Sequence, residues 1–249
     1  MSKLEWAQAD ARLIPLLTQV KAQCKVHFKR AEGNMWGSSL EDGIARIYHT
    51  DTDHPAASLA HELLHIIVQL KGIRQLRVGF WTLDQTERLN RFMKAVNNEL
   101  QHHKMFSHFT AVGFAPNEFY HDGDSNIESY LGETVSRGFG SLIQLVPDFL
   151  TLLAPGGAIS QQAQNELLNA FLAVNGGGFC SQLIAIRNIV RAWASTSSFD
   201  NVQVVKEICL QMQNPCVAWF GFEKSARPPN TGFFVGKKLK LMNPKTQLP

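Results

Sequence analysis

Residues 55–72 read PAASLAHELLHIIVQLKG, and the chain is best read outward from this stretch. Pro55 suits a first helical turn, where its missing N–H would be unpaired in any case. Leu59, Leu63, Ile66, Ile67 and Leu70 recur at helical spacing, and Gly72 supplies the stop. The spacing predicts a helix from about Pro55 to Lys71. Within it His61 and His65 stand four apart, one turn away on the same face, so both imidazoles can reach one ion. Glu62 is offset from His61 by about 100° on the helical wheel. It can reach past an ion to a bound water without being a ligand, as a general base must. With 9 His in 249 residues, chance gives roughly 0.015 matches to H-E-x-x-H in such a chain, so a composition accident is a poor explanation.

Upstream, the polar turn HTDTDH (49–54) leads into this helix. Cys24 to Lys29 and Gly43 to His49 read as two strands. Leu4 to about Ala22 has helical spacing, with Pro15 as the expected kink or early break. Downstream, Thr82 and Gln85 form a capping-box pattern, and Leu89, Phe92, Met93, Val96 and Leu100 carry a helix to about Ser107. The stretch GFAPNEFYHDGDSN (113–126) reads as a loop able to frame a cleft. Helical patterns follow over Ile127 to Arg137, Ser160 to Val174, Phe179 to Ala194 and Asp200 to Met212. From Ala226 on, Pro228, Pro229 and Pro244 with Lys237, Lys238 and Lys240 suggest a loosely attached tail.

The string His61-Glu62-Leu63-Leu64-His65 resembles the signature of the zincin metallopeptidases. That resemblance implies zinc held by His61 and His65, water activated by Glu62, and a third ligand from further along the chain. It also implies an edge strand near Ile44 to Tyr48 that aligns an extended substrate by backbone pairing. The longer metzincin form is absent, since IIVQLKG follows His65 without another histidine.

The third ligand is expected in NNELQHHKMF (97–106), which holds Glu99, His102 and His103. Helical periodicity puts His103 at the edge of the apolar stripe, Glu99 further round and His102 almost opposite. The string Asn98-x-Leu100-x-His102 is similar to a pattern in small bacterial HELLH proteins, and that similarity selects His102. His103 is the alternative and Glu99 the third choice. His108, Tyr120 and His121 are weaker candidates for polarising a substrate carbonyl or supporting the site.

Composition narrows the function classes. With 45% apolar and 18% charged residues, the chain can bury a core without staples, which argues against disorder or a coiled coil. Its net charge of +3 nominates neither nucleic acid nor membrane. Arg74, Arg77, Arg88 and Arg91 with Phe80 and Trp81 more simply solvate a face than bind nucleic acid. Cys24, Cys180, Cys209 and Cys216 make no CxxC pair and read as reduced thiols. Glu5 and Asp10 interrupt any signal-peptide stretch, and the apolar run Leu142 to Ala154 is about half a bilayer span. A cytoplasmic protein without a membrane span is expected.

The expectation is therefore an α+β, mostly helical protein. Residues 1–125 form a zincin-like metal-binding unit with a small sheet, 126–225 a helical region, and 226–249 a tail. The expected function is a zinc-dependent hydrolase, a metallopeptidase acting on a protein or peptide, with Zn2+ on His61, His65 and His102. The alternative is a zincin-like metal-binding interaction or regulatory protein that cleaves nothing. Oligomeric state is not written in any motif.

Overall fold

In the computed structural model the described residues are 2–33, 35–74, 76–79, 83–120, 132–133, 135–136, 141–153, 160–175, 177–212, 219–222, 233–235 and 237–239. They form an α+β, mostly helical fold divided into two compact units. The first comprises residues 1–72, 101–134 and 154–167; the second comprises 73–100, 135–153 and 168–249.

The first unit opens with α1 (Lys3–Gln8), a 3-10 turn (Ala11–Leu13) and α2 (Ile14–Lys21). The expected single helix over Leu4 to Ala22 is thus three pieces, and its break is not at Pro15. Pro15 sits in the first turn of α2, where it costs no hydrogen bond. The chain turns instead at Asp10, whose extended backbone and carboxylate, accepting from the Arg12 backbone N–H at 2.9 Å, restart it. Ala7, Leu13 and Val20 are fully buried on this segment.

Three strands follow: β1 (Lys25–Arg30), β2 (Gly37–Glu41) and β3 (Ile44–His49), in the order β1-β3-β2. β1 runs parallel to β3 with Phe28 opposite Ile47, and β2 runs antiparallel to it with Ser38 opposite Ile47. The strand expected at the sheet edge is therefore the central one. Both sides of Ile44 to Tyr48 are hydrogen-bonded to neighbours, so this strand has no free edge to pair with a substrate. β2 was not foreseen, although its hairpin carries a sequence signal. Asp42 and Gly43, both at positive φ (50° and 71°), make a two-residue turn of the kind Asp-Gly favours. Along β3, Ala45 and Ile47 are buried while Arg46 and Tyr48 are partly exposed, as one covered sheet face requires.

The covering element is α3 (Pro55–Leu70), which packs on α1, α2 and the sheet. Every residue from Pro55 to Val68 is buried, so the helix is central rather than superficial. Leu59, Leu63, Ile66 and Val68 are fully inaccessible, each contributing about 1.5–3 kcal/mol of burial. The predicted start at Pro55 is observed, and Gly72 follows the helix at φ 124°, a conformation that favours glycine.

α4 (Leu83–Ala111) is 29 residues long, its residues 83–100 belonging to the second unit and 101–111 to the first. Thr82, the expected cap, lies outside the described residues. Gly113 at φ 101° ends the helical path, and a 3-10 turn (Pro116–Glu118) follows in the predicted loop. Most of the helix expected over Ile127 to Arg137 is also outside the described residues.

The second unit contains β4 (Leu76–Gly79), α5 (Leu142–Leu153), most of α6 (Gln161–Asn175), α7 (Cys180–Ala194) and α8 (Val202–Gln211). β5 (Trp219–Phe222), β6 (Phe233–Val235) and β7 (Lys237–Leu239) extend β4 into a four-stranded sheet in chain order. β6 and β7 fall within the segment read as a tail. Phe149 and Phe171 pack at 5.7 Å between ring centroids. Fully buried Asn201 accepts from the Arg74 N–H at 2.9 Å and donates to the Arg74 carbonyl at 3.0 Å, tying the start of α8 to the chain just before β4. Among the described residues no helix is long and apolar enough to cross a membrane.

Candidate metal centre

α3 presents His61 and His65 one turn apart, and the first-unit part of α4 presents His102. All three are buried, at 3%, 7% and 4% exposure. One ring nitrogen from each lies within 4.8 Å of the others, close enough to hold a metal ion. Ring centroids are 4.7 Å apart for His61 and His65, 5.0 Å for His61 and His102, and 5.3 Å for His65 and His102. Of the three third-ligand candidates, His102 joins this group; His103 and Glu99 do not. Periodicity misplaced His102 because the apolar stripe was measured over the whole helix, whereas the helix serves the first unit only from Gln101 on.

The outer nitrogens of two rings are held. His61 Nδ1 lies 2.7 Å from the Phe119 carbonyl oxygen, and His65 Nδ1 lies 3.1 Å from Gln101 Oε1, which also accepts from Gln69 Nε2 at 3.3 Å. The Phe119 carbonyl only accepts, so His61 Nδ1 carries the proton and its Nε2 bears a lone pair; with the Gln101 amide oriented oxygen-first the same holds for His65. Those two Nε2 atoms face each other at 3.0 Å.

With the Gln101 and Gln69 amides in the orientation seen, the protons of these contacts do not balance without a cation. Three contacts each need one hydrogen, and two neutral imidazoles bring only two. An imidazolium would supply the third, but the setting opposes it. Burial chiefly, and then the neighbouring His65 and His102, push His61 well below the usual histidine range, against a smaller opposing effect of the Phe119 carbonyl. Burial and then His102 push His65 down to about 3, with Gln101 opposing. A metal-free network satisfying every contact with neutral rings requires both the Gln101 and Gln69 amides to be reversed. A cation between the Nε2 atoms resolves the contact directly: two imidazoles on a tetrahedral zinc stand about 3.3 Å apart. Neutral rings oriented by a carbonyl and an amide are also what metal-bound histidines use. The residues present thus fit an ion.

Phe119 packs its ring 4.8 Å from His61 and 5.4 Å from His102, and also meets Phe106, Phe109 and Tyr120. Tyr120 stands edge-on to His102 at 5.2 Å. His54 approaches Glu118 at 3.5 Å in the same segment. Glu62 is buried at 3% exposure, between the two α3 histidines in sequence. Glu99, in the second unit, accepts from Asn98 Nδ2 at 3.3 Å. His108 lies 3.4 Å from Lys71 Nζ, and His121 is outside the described residues, as are Phe80, Trp81 and the side chains of Arg77 and Arg88.

Sequence reasoning did not find Phe119, Gln101 or Gln69. Gln69 had a signal, since it continues the face of His61 and His65 by one more turn. Phe119 acts through its main-chain carbonyl, which leaves no mark on residue type. No protein-family description, no curated protein and no solved structure matches this chain.

Proposed function

We propose that the chain is a zinc-dependent hydrolase, a metallopeptidase acting on a protein or peptide. The observation that carries this reading is the buried trio His61, His65 and His102, with the Nε2 atoms of His61 and His65 3.0 Å apart on α3, the helix that also carries Glu62. Three histidine ligands would leave an ion room for a further one, the pattern of catalytic rather than structural zinc. When bound there, zinc would polarise a carbonyl and make water a better nucleophile at neutral pH.

This chain's residues would divide the rest of the work. Imidazole ligands bring no negative charge, so His61, His65 and His102 would hold the ion with its positive charge undiminished. Phe119 and Gln101 fix two of the rings. Glu62 accepts the proton of the attacking water and passes it to the departing amine, a transfer that general bases contribute at about 10²–10⁴-fold.

The test is the zinc-loaded protein against a mixed peptide library, native beside Glu62→Gln. The reading expects cleavage by the native chain, lost at least a hundredfold in Glu62→Gln, with metal content and melting temperature retained. Cleavage that persists in Glu62→Gln, or none by a zinc-replete native chain, would overturn it.

A further inference from the structure

The face of α3 that carries the histidines, taken with the residue just before the helix, is a stripe: His54, Ser58, His61, His65 and Gln69. On a wheel of 100° per residue, Ser58 lies about 20° from His65 and about 60° from His61. Four members of the stripe make contacts that the structure shows directly. His54 meets Glu118, His61 the Phe119 carbonyl, and His65 and Gln69 share Gln101 Oε1. Ser58 differs. It is 2% exposed, and its Oγ has no hydrogen-bond partner.

A serine inside a helix has an easy local remedy, because its hydroxyl can return to the carbonyl four residues back. Here the His54 carbonyl takes the Ser58 backbone N–H at 2.9 Å, and the hydroxyl does not use it. A buried hydroxyl left so is destabilising, and such groups in native proteins call for an explanation. Geometry supplies one. Side chains on a helix lean toward its N-terminus, so the imidazoles of His61 and His65 lean back over the turn that begins at Ser58.

We infer that Ser58 is a ligand-binding residue of this centre, its hydroxyl hydrogen-bonding an oxygen of the small molecule or substrate that enters beside His61 and His65. The inference rests on the metal reading of the trio. It adds a specificity element: the site favours ligands with a second oxygen next to the one that approaches the ion, as in a hydroxamate or a tetrahedral carbonyl adduct. Ser58 is the only hydroxyl on the stripe.

The experiment uses full-length cobalt(II)-loaded protein, native, Ser58→Ala and Ser58→Thr, titrated with acetohydroxamate and followed by the visible cobalt absorption. All three are expected to bind one equivalent of cobalt. Native and Ser58→Thr are expected to bind acetohydroxamate alike, and Ser58→Ala about tenfold more weakly, the loss of one hydrogen bond. Equal cobalt binding with equal hydroxamate affinity in native and Ser58→Ala overturns the assignment of Ser58 and leaves the metal reading standing. Weakening in Ser58→Thr as large as in Ser58→Ala also overturns it, since the hydroxyl is then not the cause. Failure of the native chain to take up cobalt removes both.

Discussion

His61 Nδ1 stands 2.7 Å from the carbonyl oxygen of Phe119, 58 residues away in the chain, and the Phe119 ring packs against the same imidazole at 4.8 Å. One residue therefore sets both the tautomer and the tilt of a candidate ligand. Replacing Phe119 by Leu keeps the carbonyl and much of the volume but loosens the packing that aims it. The expected outcome is a folded protein whose zinc affinity falls about 10–100-fold, the usual cost of disturbing a ligand's support. Competition with a chromophoric chelator measures it, and unchanged affinity would show that the backbone alone holds the carbonyl.

Gln101 does for His65 what Phe119 does for His61, but through a side chain that can be altered directly. Gln101→Ala is expected to weaken zinc binding about 10–100-fold. Gln101→Glu retains an acceptor opposite His65 Nδ1 and should recover most of the loss. If Gln101→Glu were as weak as Gln101→Ala, the amide oxygen would not be the orienting group.

The N-terminal segment is fastened near the loop that carries Phe119. Arg12 pairs with Asp10 at 2.7 Å, donates to the Gly113 carbonyl at 3.2 Å, and lies 3.9 Å over the Phe114 ring. The Arg12 side-chain hydrogen bond is the main cause that holds the Asp10 carboxyl below its ordinary value of 3.8. A depressed carboxyl contributes stability that is complete above its unfolded value and lost as pH falls through its lower folded value. Asp10→Asn keeps an oxygen to cap the turn but loses the charge that faces Arg12, and is therefore expected to cost about 0.5–1 kcal/mol at neutral pH, as loss of a partly exposed ion pair does, and to narrow its gap from the native chain below about pH 4. Urea denaturation at several pH values checks this; a gap constant down to pH 2 would contradict it.

Much of the first unit is legible in the sequence because local signals and tertiary needs agree there. Pro55, the apolar spacing and Gly72 mark both ends of α3, and the short strands before it alternate as a half-covered sheet must. The parts that were not legible have identifiable causes. β2 is Gly-Ser-Ser-Leu-Glu, too polar to stand out, and only the Asp42-Gly43 turn gives it away. The central position of β3 depends on β1 pairing parallel across an intervening strand, which hydropathy does not encode. His61 and His65 were written in one helical turn, whereas His102 needed a helix that leaves one unit and enters the other at Gln101. The Phe119 carbonyl had no signal at all.

The most direct test of the account is the metal content of the chain purified without added metal, native beside His61→Ala, His102→Ala and His103→Ala. The account predicts about one zinc per native chain, lost in His61→Ala and His102→Ala and kept in His103→Ala. A native chain with no metal that takes up none when zinc is added would contradict it, and so would a site lost in His103→Ala but intact in His102→Ala.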